Sequence, residues 1–385
     1  MLKIFTCLFF LFLTALQSQG QVRTTPTDSL KKPDKVQAAP PRTDTTFNAI
    51  AHLLAGMPIQ EAGYKTLSVE TAVKAHYTEF AKGWQNLETS RLNKIRTWQN
   101  AALAEWDTAT YNLFYPFSGP DFLNAYELFP NADNYLLFGL ERMGELPALK
   151  DLKGVYLQNY LTNIRQALSE IFQRNYFITS RMSGAFNSSV KGVLPILAVF
   201  LARTNHEIIN IRKFYIQKDG KTLDDATKPK NQTLLTGWHI IFKNPKREVT
   251  QHLYYLGTDL ADGAMANKPE LVKWIKNFDH KATLIKSASY LLHTANFNTI
   301  RNLILEDSKT VLQDDTGVPY KYFVKAGWEV KLYGKYAPPI RDFNYGFQAD
   351  LNQKFAADKS IEPLNFTFGY HWWTDKSSIL YCRKE

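Results

Sequence analysis

Acids and glycines at the ends of apolar runs are the residues of this 385-residue chain best placed to do chemistry. Ser118-Gly119-Pro120-Asp121 follows the aromatic run Asn112 to Phe117, and Glu141 closes the run Tyr135 to Leu140, twenty-two positions after Gly119. A glycine turn after one strand lets backbone approach a ligand. An acid about 20 residues on, at the tip of the next strand, accepts ribose hydroxyls. Ser118, Gly119, Asp121 and Glu141 are therefore expected at a small-ligand site, with a structural βα turn as the alternative.

Lys286, Ser287, Ser289 and His293 form a second polar group. An amine, hydroxyls and an imidazole can serve nucleophilic chemistry. The Lys-Ser order does not fit Ser-x-x-Lys, and no Gly-x-Ser-x-Gly elbow occurs, so capping and packing compete with catalysis. In Asp314-Asp315-Thr316-Gly317 adjacent strand residues face opposite ways, so at most one of the two acids can enter a given site. The same letters suit a turn. Asp259 and Asp262 follow the apolar stretch Leu253 to Leu256 and can serve a ligand or cap a helix. The small-residue loop Ser183 to Ser189 offers backbone N–H groups to an anion. The eight His residues do not gather at zinc spacing and Cys382 has no partner, so no metal is expected.

These groups need a scaffold, and the hydrophobic periodicity supplies one. Ser68 to Trp106 repeats apolar residues every three or four positions and reads as two helices broken near Asn86 to Thr89, a cap over residues 47–110. From Tyr111 the order is strand, glycine turn, helix (Phe122 to Phe129), strand and acid, a βαβ unit. A long amphipathic helix spans Tyr156 to Tyr176, and an apolar helix surrounds Pro195. Glu207 to Ile216 is a strand, and Trp238 to Phe242 with Val249 to Leu256 form a hairpin around the polar turn Asn244 to Arg247. Thr283 to Lys286 and Thr310 to Asp314 bracket a helix as a second βαβ candidate. Strands are expected at Val318 to Phe323 and Trp328 to Tyr336, and a closing hairpin from Asn365 to Trp372 against Ser377 to Arg383. The fold class is α/β: a Rossmann-like mixed sheet flanked by helices over 111–385, with antiparallel strands at its C-terminal end.

The unit from Tyr115 to Glu141 resembles the first βαβ unit of class I methyltransferases, in which the adenosyl ligand sits over the glycine turn. Those enzymes carry two or three glycines there, whereas this chain has Gly119 followed by Pro120. The stretches Phe114 to Leu123, Leu137 to Glu141, Ser287 to Leu291 and Val311 to Tyr320 are also similar to a family of uncharacterised exported bacterial proteins. That second resemblance brings no activity with it.

Export is written at the N-terminus. Lys3, the uncharged run Ile4 to Leu16, and Ser18-Gln19-Gly20 before Gln21 follow the order of a cleavable signal peptide over residues 1–20. The apolar run is shorter than the roughly 20 residues a membrane span needs, and no later stretch is long enough. Residues 21–46, rich in Thr, Pro, Lys and Asp, read as a disordered linker. A periplasmic or extracellular location follows. With 45% hydrophobic residues and no possible internal disulfide after cleavage, stability has to come from the core. The formal charge of +10 is scattered, so nucleic acid is not an expected partner. The remaining readings are a small-molecule pocket at the first βα turn, with its cofactor unspecified; a non-catalytic envelope protein binding glycans or a protein; and a hydrolase using Asp121, Lys286, His293 or Asp314.

Overall fold

The computed structural model describes residues 45–107, 109–177, 190–244 and 249–384. The expected signal peptide, the linker up to residue 44, the Ser183 to Ser189 loop and most of the Asn244 to Arg247 turn lie outside them. The first strands are β1 (Asn112–Tyr115), β2 (Asn134–Gly139), β3 (Glu207–Ile216), β4 (Thr222–Leu223) and β5 (Leu235–Lys243). They are followed by β6 (Thr250–Gly257), β7 (Lys281–Ile285), β8 (Ser308–Gln313), β9 (Glu329–Gly334) and β10 (Ser378–Arg383). All join one sheet in the order β4-β3-β5-β6-β2-β1-β7-β8-β10-β9.

The centre, β6-β2-β1-β7-β8, is parallel. Beyond it, β10 runs antiparallel to both β8 and β9, while β5 and β3 extend the opposite side antiparallel. Parallel strands are covered on both faces, and every residue of β7 is accordingly buried. Alternation divides the side chains between two cores. Leu113, Tyr115, Tyr135, Leu137 and Leu284 face one; Phe114, Leu136, Phe138, Ile285 and Val311 face the other.

The first face is covered by α1 (Thr45–Leu54), α2 (Thr71–Leu87), α3 (Asn93–Ala102), α4 (Phe122–Leu128), α5 (Gly154–Arg174) and α6 (Leu194–Arg203). The second carries α7 (Asp262–Ala266), α8 (Pro269–Lys276), α9 (Asn298–Asp307), α10 (Tyr320–Lys325) and α11 (Ala349–Ala357). The result is a mixed α/β fold with helices on both sides of the sheet.

Several sequence expectations are corrected. The break near Asn86 to Thr89 is a single π-helical turn, Glu88–Leu92, that passes α2 into α3 without interrupting the chain. Val318 to Phe323 contributes to α10, because Pro319 sits at its N-cap and only Phe323 of that helix is buried. Asp315-Thr316-Gly317 therefore joins a strand to a helix and makes no hairpin. Asn365 to Trp372 forms no strand; β10 pairs instead with β8 and β9, which already offer both its edges a partner.

Candidate functional site

The order of the parallel strands reverses between β1 and β7, and a cleft of about 800 Å³ opens over their C-terminal ends. Ligands of open α/β sheets bind at such a switch point, where loops diverge to opposite faces. Ser118, Gly119, Asp121, Glu141, Asp259 and Lys286 all line this cleft. Asp314, the remaining expected residue, lies behind its wall and supports the Lys286–Ser287 backbone.

Each side chain is placed by a local device. Ser118 Oγ accepts from the Phe138 N–H at 2.9 Å and donates to the Phe138 carbonyl at 3.0 Å, tying the first turn to β2. The Gly119 N–H also donates to that carbonyl, and Gly119 itself stands at φ +52°. A Cβ on Gly139 would stand 2.3 Å from Glu141 Oε2 and 2.9 Å from the Gly119 Cα, so the close approach of the two turns requires glycine. Glu141 is buried with its carboxylate against Gly119. Its backbone carbonyl accepts from the Tyr255 hydroxyl at 3.1 Å. Asp259 stands exposed on the rim, where Oδ1 accepts the Ala261 N–H at 2.8 Å.

Asp121 caps α4 through the Asn124 N–H at 3.1 Å, and its Oδ2 accepts from the Tyr115 hydroxyl at 3.0 Å. The same oxygen meets Lys286 Nζ at 3.2 Å, with the two side chains 3% and 1% exposed. Lys286 also donates to the Asn175 carbonyl. Burial lowers the pKa of the amine below its usual value, against the opposing pull of Asp121. Asn175 ends α5 in the left-handed conformation, and Arg91 donates to the Ile171 and Gln173 carbonyls just before it. A helix end is thus held in place to deliver one carbonyl to the lysine.

After β7 the chain turns through Ser287, Ser289 and Tyr290 at φ +53°, +51° and +55°, none of them glycine. The turn is gripped from several elements. Asp314 Oδ2 accepts the Ser287 N–H at 2.8 Å, and Thr316 Oγ1 accepts the Ala288 N–H at 2.8 Å. The Tyr370 hydroxyl accepts the Ser289 N–H at 3.1 Å and donates to the Ser287 carbonyl at 2.8 Å. Tyr290 donates to Asp315 Oδ2 at 2.6 Å. Burial, and then the charge of Asp314, push the Asp315 carboxyl up to about 7; burial also raises Asp314.

His293 does not join Lys286. Its ring packs against Tyr290 at 5.1 Å between centroids, and burial lowers its pKa to about 4. Asp262 caps the start of α9, accepting the Asn298 and Thr299 N–H groups at 3.1 and 2.8 Å.

Sequence reasoning missed the residues that close the cleft: Arg174, Tyr176, Phe343, Tyr370 and Trp373. Only the asparagine ending the long helix carried a signal, since Asn is favoured at left-handed helix ends. Among the described residues no group of three or more His, Cys, Asp or Glu is placed to hold a metal, and no helix is long and apolar enough to cross a membrane. No family model, curated protein or solved structure matches the chain.

Proposed function

We propose that this is an exported protein of methyltransferase-like fold that binds a nucleoside-type small molecule over the Gly119 turn. Counted among themselves, the strands β6-β2-β1-β7-β8-β10-β9 run 3-2-1-4-5-7-6. The first five follow the doubly wound order of nucleotide-binding sheets. An antiparallel strand between the fifth and the sixth is the addition that makes such a sheet resemble that of class I methyltransferases.

The observation that carries the reading is the Glu141 carboxylate lying against Gly119 inside the switch-point cleft. There the two hydroxyls of a ribose diol can donate a pair of hydrogen bonds to one acid. In this reading Asp259, exposed after the neighbouring strand β6, is the acid available to the base.

The assignment is to binding rather than turnover. Lys286 is committed to Asp121 and the Asn175 carbonyl, so its amine is not offered as a nucleophile. Adenosyl cofactors are also made in the cytoplasm, while residues 1–20 direct the chain out of it. The similarity to exported bacterial proteins belongs to the same reading. Sequencing the mature N-terminus tests the export part, with Gln21 as the expected first residue.

The binding part is tested by thermal-shift titration with S-adenosylmethionine and S-adenosylhomocysteine. Ligand at 100 times its dissociation constant stabilises the native state by about 2.7 kcal/mol. A saturable shift that disappears in Glu141→Gln is expected. No shift at millimolar ligand, or one indifferent to Glu141→Gln, overturns the placement.

A further inference from the structure

We propose that the half of the cleft beyond Lys286 is a separate compartment for an aromatic ring bearing one hydroxyl, such as a phenol, received by Ser287. The inference deepens the nucleoside-site reading and rests on it for the overall position of the site. Its own observations lie elsewhere in the cleft.

The first is the wall. Tyr176, Ile340, Phe343, Tyr370 and Trp373 line the cleft, and Tyr370 is bonded directly to the β7 turn. The rings form a continuous cluster: Tyr176 meets Tyr370 edge-on at 4.9 Å, and Phe343 stacks on Tyr370 at 5.2 Å. Trp373 remains 56% exposed at the mouth. Such walls favour flat apolar ligands through offset and edge-on contacts.

The second is the floor. Ser287 Oγ is buried and has no hydrogen-bond partner, while its backbone is held at φ +53° by Asp314 and Tyr370. A left-handed serine costs roughly 1–2 kcal/mol, and an idle buried hydroxyl adds a further penalty. Backbone strain of this kind persists where neighbours over-determine it, and it concentrates at ligand sites.

The third is how the polar groups of this half are occupied. Ser289 Oγ is engaged with the Tyr370 hydroxyl at 3.0 Å, and Lys286 with Asp121 and Asn175. Ser287 is then the free hydroxyl of this half, among the described residues. Arg174 lies 2.7 Å from Glu170, and Asp342 is exposed to solvent. A sugar carries many hydroxyls and would leave those pressed against the aromatic wall unpaired, at a cost for each. A ring with a single hydroxyl leaves none.

The test is equilibrium dialysis of the purified protein with para-nitrophenol, nitrobenzene and cellobiose. Saturable binding of para-nitrophenol is expected, about tenfold tighter than nitrobenzene, as one hydrogen bond implies. In Ser287→Gly, which keeps the left-handed turn accessible, the two should bind alike. Nitrobenzene on the unaltered protein makes the same comparison without any mutation.

No saturable para-nitrophenol binding overturns the proposal, as does an undiminished preference for it in Ser287→Gly. Cellobiose that binds in competition overturns it in favour of a glycan. The two halves fail separately. Glu141→Gln should abolish S-adenosylhomocysteine binding and leave para-nitrophenol untouched. Loss of either ligand's binding in the unaltered protein condemns only its own half.

Discussion

Two regions of this molecule bury polar side chains, and they do so for different ends. In the helical region around α1, α2 and α6, buried polar side chains close largely on backbone. Asn48 donates to the Ile208 carbonyl and accepts its N–H, both at 2.8 Å. His76 Nε2 donates to the Leu54 carbonyl at 3.1 Å, and its other nitrogen accepts from Arg165 at 2.9 Å. Arg203 donates to the Ala55 and Gly56 carbonyls while its guanidinium lies 4.6 Å from the centre of the Phe80 ring. The positive-φ residues nearby are Gly56 and Asn205, types that tolerate it. Around the β1 and β7 turns, the buried groups are instead a lysine, several acids and an idle serine hydroxyl facing or backing a cavity, on a backbone strained at serine and tyrosine. Burial of polar groups is thus no sign of function by itself. What separates the regions is where the hydrogen bonds end and whether the backbone conformation suits its residue.

The sharpest test of that contrast is Lys286→Met. It leaves the Asp121 carboxylate buried beside an apolar side chain, and breaking a buried pair from one side costs about 3–5 kcal/mol. Asn48→Ala orphans one N–H and one carbonyl and should cost less, about 1–3 kcal/mol. Urea denaturation of both variants ranks them. A larger loss for Asn48→Ala would make the helical region the more dependent on its polar groups.

The regions should also respond oppositely to pH. Asp315, pushed up to about 7, holds its proton in the native state between roughly pH 4 and 7, where the unfolded chain has released it. Stability then falls as pH rises through that window, by up to about 1.4 kcal/mol per unit. His76 does the reverse. Burial lowers it to about 4, so the native state binds fewer protons than the unfolded chain between about pH 6.5 and 4. Stability is lost as pH falls through that range. Asp315→Asn should gain on the parent as pH climbs toward 7, and His76→Gln should lose its relative disadvantage as pH drops. Parallel slopes for the two variants, from denaturation at a series of pH values, would dissolve the distinction.

Both regions were legible in part; α1 (Thr45–Leu54) was not expected as a helix, and its first two residues fall in the stretch read as linker. Strand β3 runs from Glu207 to Ile216 as its apolar content implies, and α5 lies within two residues of its expected ends. The first βα turn was readable because Gly119 and Glu141 obey a spacing rule that backbone approach enforces. Lys286 and Asp121 were each visible as strand-end residues. Their pairing was not, because residues 165 positions apart carry no local signal. The aromatic wall comes from segments with little regular structure, Ile340 to Phe343 and Tyr370 to Trp373, where periodicity has nothing to report. The misread hairpin at Asn365 has the same origin. An alternating apolar pattern announces a strand, but β10 had already filled the available edges.

A small effect is expected at Ser287 itself, and a smaller one at Asn205. Glycine there removes the left-handed penalty of roughly 1–2 kcal/mol, offset by about 0.5–1 kcal/mol of extra chain entropy in the unfolded state. The lost hydroxyl has no partner to miss. Ser287→Gly should therefore stabilise the fold by no more than about 1.5 kcal/mol. Asn205→Gly, at φ +60° after α6, relieves little strain and should change stability by no more than about 0.5 kcal/mol. Read with the dialysis experiment, the sign at Ser287 is decisive. A variant that folds more stably yet no longer prefers para-nitrophenol to nitrobenzene shows strain retained for binding, the usual trade at ligand sites. A variant that folds less stably shows a serine suited to its turn, and the β7 turn would then differ from the helical region only in lying beside a cavity.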